Sequence, residues 1–285
     1  MTPPSGLSAL CRTPEQKEWL AKLPGRLNEL ARRWSLTLPR PLVRYPASCA
    51  WVVPVQTKDG TSAILKLSLP HMEARDEIAG LRFWNGDPTV GLLEADEPLD
   101  ALLLERCEPG TSLRELPEPE QDGVIASLLR RMWRIPPHPH PFRPLSKMLA
   151  FWSKETLAAV DRWSGKALVR GGVDLFRTLS EPAASDRLLA TDLHAGNVLR
   201  AQRKPWLAID PKPFFGDPAY DATQHLLNCR DRLRSDGAAT VRRFADLLGV
   251  EEERVRLWTF ARLAAEPRSE WANDDNDQLA RALRP

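Results

Sequence analysis

No block of like charge, no long apolar run, no paired-cysteine motif and no internal repeat marks this sequence. Lysine and arginine total 40 against 38 aspartate and glutamate, a net charge of +2, and the arginines are scattered along the chain. Nothing therefore designates a nucleic-acid or membrane surface. Residues 1–13 carry Arg12 as their one positive charge and no apolar stretch of signal-peptide length. No later segment approaches a membrane span, so the expectation is a cytoplasmic chain. Cys11, Cys49, Cys107 and Cys229 lie far apart and form neither a CxxC pair nor a disulfide framework; they read as free, mostly buried thiols of a reduced compartment. His138 and His140 alternate with prolines, which enforce an extended chain, and no further ligand stands near them. That segment reads as a rigid connector rather than a metal tract. The chain also lacks the repeat spacing of a solenoid. Its 285 residues suffice for two lobes, each with its own core, around a cleft.

What is present begins with periodicity. Trp19, Leu20, Leu23, Leu27, Leu30 and Trp34 recur at helical spacing and predict an amphipathic helix over 13–34, bent or broken at Pro24-Gly25. Residues 50–56 and 62–69 are apolar or β-branched runs joined by a turn containing Asp59-Gly60, which predicts a hairpin whose second strand carries Lys66. A helix over 71–84 and strands over 89–95 and 99–105 follow. Beyond Pro109-Gly110 the pattern is mainly helical, with helices expected over 119–134, 145–162, 173–184, 218–228, 238–248 and 251–266. The shift at 107–110 sets a boundary between an N-terminal lobe, 1–107, and a helical C-terminal lobe, 108–285.

The chemistry concentrates in residues 188–221, LLATDLHAGNVLRAQRKPWLAIDPKPFFGDPAYD. Residues 198–201 and 206–209 are short apolar strands around a turn and should pair as a hairpin. Pairing would bring Asn197 and Asp210 side by side at its base, with Asp192 one loop-width away. A carboxylate beside an amide oxygen suits magnesium, a hard cation that completes its shell with water and substrate phosphates. Each of these residues alone reads as ordinary turn chemistry; together, their order and spacing are specific.

Protein kinases have the same order of catalytic Asp, Asn five residues on and metal-binding Asp. A closer resemblance is to the aminoglycoside phosphotransferases, and WLAIDPKPFFGDPAYD (206–221) resembles their streptomycin-kinase branch, the aminoglycoside or hydroxyurea resistance kinases. The resemblance extends through 48–51, 63–67, 77–84 and 102–110. It implies an α+β, bilobal, protein-kinase-like fold: a small β-sheet lobe with helices, which binds the nucleotide, and a larger, mainly helical lobe with the catalytic loop and acceptor site. It implies ATP and Mg2+, with Asp192 catalytic, Asn197 and Asp210 on the metal, and Lys66 on the ATP phosphates. Glu77 shares a helical face with Leu81 and Trp84 and is the chosen partner of Lys66, with Glu73 as the fallback. Glu105 and Cys107 mark where backbone groups would meet adenine.

The sequence departs from the family in three places. Ala190-Thr191 replaces the His-Gly before the catalytic Asp, Pro211-Lys212 replaces the Phe-Gly after the metal Asp, and no glycine-rich loop exists, which leaves Ser48 either as a phosphate cradle with neighbouring N–H groups or as a plain turn serine. Asp221 is read as support for its helix or for the catalytic loop, His194 as a hydrogen-bonding brace, and Glu270, Asp274, Asp275 and Asp277 as a solvated acidic helix end. The expectation is a monomeric small-molecule kinase with an aminoglycoside-like acceptor, binding neither nucleic acid nor membrane. A metabolic kinase for another small alcohol or sugar, a nucleotide-binding pseudokinase and a metal-dependent hydrolase are the competing readings.

Overall fold

The structure, a computed structural model, describes residues 3–41, 49–163, 165–267 and 274–285. By its contacts the chain divides into two compact units, residues 1–110 with 200–207, and residues 111–199 with 208–285. The expected division at residue 107 took no account of the segment 200–207.

In the first unit, helices α1 (Ser5–Leu10) and α2 (Pro14–Arg33) precede strands β1 (Ala50–Gln56) and β2 (Ser62–Ser68), helix α3 (Glu77–Trp84), and strands β3 (Leu92–Asp96) and β4 (Ala101–Glu105). The strands form one antiparallel sheet in the order β1-β2-β4-β3. Thr13 caps α2 in a reciprocal box with Gln16, and the helix runs through Pro24 without a break, because the packing of its apolar stripe outweighs one lost N–H. Leu23, Leu27 and Leu30 of that stripe join Trp51, Val53, Val55, Leu65, Leu67 and Leu103 in a single core on one face of the sheet. Side chains alternate across a strand, so burying Leu65 and Leu67 on that face sends Lys66 to the other. Pro54, which has no N–H to donate, lies on the edge strand β1.

In the second unit, helices α4 (Glu118–Met132), α5 (Leu145–Ala158) and α6 (Lys166–Leu179) come first. Strand β5 (Arg187–Leu189), strands β6 (Val198–Arg200) and β7 (Trp206–Ala208), and strand β8 (Phe214–Gly216) follow. Helices α7 (Pro218–Asn228), α8 (Arg230–Leu248), α9 (Glu252–Ala265) and α10 (Asp274–Ala282) complete it. Strand β5 pairs antiparallel with β8, and β6 with β7; the tip of the β6–β7 hairpin groups with the first unit. Helix α9 is buried on nearly every side over its C-terminal half, as befits the central helix of a helical core.

The helix expected over 71–84 is α3, which begins only at Glu77 after a 3-10 turn over Glu73–Asp76, and the one expected over 145–162 ends at Ala158. The helix expected over 173–184 is α6, which begins seven residues earlier and packs against α9 at Gly172. A Cβ there would come within 2.9 Å of the Cβ atoms of Ala264 and Ala265, so the glycine is what lets α6 lie against α9. The helix expected from 238 begins at Arg230, but Asp236 breaks it with non-helical angles and its carboxylate caps the second half through the Ala239 N–H. Accordingly, Gly172→Val is expected to destabilise the protein by about 2–4 kcal/mol through overpacking and backbone displacement, measured by urea unfolding; a change within about 0.5 kcal/mol would refute the close approach.

Candidate active site

In the first unit, the pleat that turns Lys66 away from the core places its ammonium 2.6 and 2.7 Å from the two carboxylate oxygens of Glu77, at the start of α3. The two side chains are 9% and 2% exposed. Removing either partner of such a buried pair leaves an uncompensated charge, at a cost of about 3–5 kcal/mol. The pair holds an ammonium, a phosphate-binding group, in fixed orientation. Glu105 is otherwise engaged: its N–H donates to the Gly91 carbonyl at 2.8 Å, and its carboxylate accepts from the Gly91 N–H and from Arg203 at the hairpin tip. The N–H and the carboxylate of Glu105 are thus both engaged within the first unit. Cys107 is buried, and burial, with help from the Glu105 charge, pushes its thiol up to about 12, so the thiol stays protonated near pH 7. Ser48 lies outside the described residues.

In the second unit, the loop between β5 and β6 is built on Asp221, in the first turn of α7. Its carboxylate accepts the N–H groups of Ala190 at 3.0 Å and Thr191 at 2.7 Å and the indole N–H of Trp133 at 2.9 Å. Burial pushes Asp221 up to about 6 against the pull of these donors. Thr191, the residue in place of the family's glycine, takes φ +50° and donates its hydroxyl to the Lys212 carbonyl at 2.5 Å. The loop then presents Asp192, whose Oδ1 accepts from Gln224 Nε2 at 2.8 Å. At the base of the hairpin, the Ile209 N–H donates to the Asn197 carbonyl at 2.9 Å, which sets Asn197 beside the residue preceding Asp210. Asn197 Nδ2 donates to the Asp192 carbonyl at 2.9 Å, so its side-chain oxygen is the atom left to act as a ligand. Asp210 adopts φ +53° and its Oδ1 accepts from Lys212 Nζ. An amide oxygen and a carboxylate, both hard donors, fit magnesium and fit softer metals poorly.

His194 accepts the Gly196 N–H on Nδ1 at 3.0 Å, with Arg114 3.3 Å from the same atom. Burial, aided by the Arg114 charge, lowers its pKa to about 4. It is neutral near pH 7 and braces the turn. Gly196 has no room for a side chain, since a Cβ would lie 2.7 Å from both Arg114 and His194. Among the described residues, one further group of potential ligands gathers, Asp122, His225 and Cys229. Arg232 grips Asp122 with two bonds of 2.9 Å and Arg243 adds one of 3.0 Å, so this cluster ties α4, α7 and α8 together rather than offering a site to a cation. Of the acidic helix end, Asp275 pairs with Arg230 and Arg234 and Asp277 is buried, which corrects the solvated reading at both positions.

Sequence reasoning missed Gln224, Lys212 and the buried Arg262. The last binds Thr223 and Glu266, each at 2.9 Å, and lies within electrostatic reach of Asp192. The signal for Gln224 was present: Asp221, Gln224, His225 and Asn228 form a polar stripe along α7 at spacings of three, four and seven.

The sequence profile of the family described as aminoglycoside/hydroxyurea antibiotic resistance kinase matches residues 33–275. The chain belongs to this family. A streptomycin 6-kinase of Streptomyces glaucescens is 38% identical over 258 residues, covering 87% of this chain and 83% of that protein. A hydroxyurea phosphotransferase of Kitasatospora aureofaciens is 39% identical over 260 residues, 87% of this chain and 73% of that protein. In fold the chain is similar to a choline kinase of Streptococcus pneumoniae, with TM-score 0.65 at 10% identity over 90% of this chain and 96% of that one. The architecture is therefore α+β and protein-kinase-like, and the protein is an ATP-using phosphotransferase that acts on a hydroxyl group. Among the described residues no helix is long and apolar enough to cross a membrane.

Asp221→Asn would place an amide N–H against donors it cannot accept, and is expected to cost about 2–4 kcal/mol of stability in urea; an unchanged midpoint would refute the tie. The pH dependence follows from opposite signs. His194, depressed from 6.5 to about 4, adds stability that is present above 6.5 and lost as pH falls toward 4. Asp221, raised from 3.8 to about 6, favours the fold below 3.8 and loses that contribution as pH rises through 6. In EDTA, His194→Gln should therefore gain on the parent by roughly 2 kcal/mol as pH is lowered from about 7 to 4.5. Denaturant melts with parallel pH profiles would refute the part-buried, neutral histidine.

Proposed function

We propose that the protein transfers the γ-phosphoryl group of ATP, with Mg2+, to a hydroxyl of streptomycin or a closely related aminoglycoside, as a cytoplasmic monomer. The observation that carries the reading is the constellation in the second unit. Gln224 fixes one oxygen of Asp192, and Asn197 and Asp210 stand at the hairpin base with hard oxygen donors. The aminoglycoside acceptor rests on the similarity to streptomycin 6-kinase.

Asp192 orients the acceptor hydroxyl and takes its proton as the hydroxyl oxygen bonds to the γ-phosphorus and the bridging bond to ADP breaks. The transition state of such transfers is loose, so orientation and charge neutralisation outweigh the strength of the base. A carboxylate anchored by Gln224 on one oxygen suits that task, since it keeps its orientation without reorganising. Lys66, held by Glu77, binds the ATP phosphates, and backbone groups near Glu105 and Cys107 receive the adenine. Asn197 and Asp210 would hold magnesium, which when bound neutralises charge on the phosphate oxygens. Hydroxyurea is the second acceptor to consider, because a phosphotransferase for that compound is 39% identical to this chain. A metabolic kinase for another small alcohol or sugar is the remaining alternative.

A coupled ADP-release assay with streptomycin, other aminoglycosides, hydroxyurea, choline and simple sugars tests the acceptor. Release should be stimulated by streptomycin above the others. Asp192→Ala is expected to lower kcat by about 10²–10⁴ while ATP still binds; activity within tenfold of the parent would remove Asp192 from the chemistry.

A further inference from the structure

Asp210 takes a left-handed conformation, φ +53°, immediately before Pro211, and Thr191 takes φ +50°. A residue before proline favours extended angles, and a β-branched residue at positive φ is an outlier. Such conformations persist only where the surroundings impose them. The imposing contacts converge on Lys212. Its N–H donates to the Ala190 carbonyl at 2.8 Å, its carbonyl accepts the Thr191 hydroxyl at 2.5 Å, and its ammonium donates to Asp210 Oδ1. Prolines on both sides stiffen the segment further. The Lys212 side chain is 10% exposed, so its charge is not a solvated surface charge but one committed to this spot.

We propose that Lys212 makes metal binding at Asp210 conditional on the nucleotide phosphates; the proposal rests on the assignment of Asn197 and Asp210 as the metal ligands. Asn197 offers a neutral oxygen, and the single negative charge of Asp210 is matched by the Lys212 ammonium, so the ligand pair and its neighbour sum to zero. A hard dication needs negative charge as well as oxygen, and a cation already on the carboxylate repels it at short range. The phosphates of ATP supply the missing charge and give the ammonium a second anionic partner. Metal and nucleotide then bind together, each raising the affinity of the other, and the bare protein holds divalent ions weakly. If Lys212 were only a brace for the strained loop, neutralising it would leave metal affinity unchanged or lower it.

The test is a Mn2+ titration followed by electron paramagnetic resonance, on the bare full-length protein and with ADP, for the parent, Lys212→Met, Lys212→Gln and Asp210→Asn. Both neutral Lys212 variants should bind Mn2+ without nucleotide at least about tenfold more tightly than the parent, and the further gain on adding ADP should shrink. Asp210→Asn should lose Mn2+ binding with ADP; if it keeps it, the ligand assignment itself fails. If Asp210→Asn loses it while the Lys212 variants bind bare Mn2+ no better than the parent, the Lys212 proposal alone is overturned. Variants that fold only when Mn2+ is present support the proposal, and variants unfolded with and without Mn2+ overturn it by making the ion pair structural.

Discussion

The buried carboxylate of Asp221 is the tie on which the catalytic loop depends. Two consecutive backbone N–H groups, those of Ala190 and Thr191, end on it, and Trp133 adds a third donor from the end of α4. An acceptor in the first turn of a helix is favoured there by the helix dipole. The cost of burying the charge is offset by three donors that would otherwise be unsatisfied. Because Gln224 lies one turn further along α7, the helix that fixes the loop backbone also fixes one oxygen of Asp192. Loop position and carboxylate orientation thus have one origin, and Arg262 and Thr223 fasten that helix to α9 behind it.

The loop's second anchor is the segment Pro211 to Pro213. Thr191 and Asp210, both in left-handed conformations, are joined through Lys212, which bonds to the loop with its N–H and its carbonyl and to Asp210 with its ammonium. Where the wider family has a glycine after the metal Asp, this chain has a rigid segment with a committed cation. Flexibility is exchanged for preorganisation, which places the strain at the residues assigned to chemistry.

The first unit meets its requirement more simply. Strand alternation, forced by the apolar core under α2, sends Lys66 to the opposite face, and α3 brings Glu77 to it. An ammonium in that position needs an anionic partner; Glu77 fixes it within the unit. The fold itself tolerates wide divergence, since a choline kinase superposes at 10% identity. Its acceptor therefore cannot be argued from the fold, and the aminoglycoside reading leans on the relatives near 38% identity.

What the sequence by itself determined are features carried by local periodicity and chain order. The β1–β2 hairpin and Lys66 on its second strand follow from alternation and turn chemistry, the bounds of α7 from helical period and end signals, and the hairpin that gathers Asn197 and the strand end before Asp210 from two short apolar runs around a turn. The tertiary structure decided whatever depends on partners far along the chain. Gly172 shows its purpose only where Ala264 and Ala265 lie against it. The solvated reading of Asp275 and Asp277 failed because Arg230 and Arg234 reach the first and burial claims the second. Gln224 reaches Asp192 across 32 positions, and Lys212 looks like a departure from a motif until the contacts around it are known. Local pattern records the cost of each conformation; only packing reveals which costs have been met.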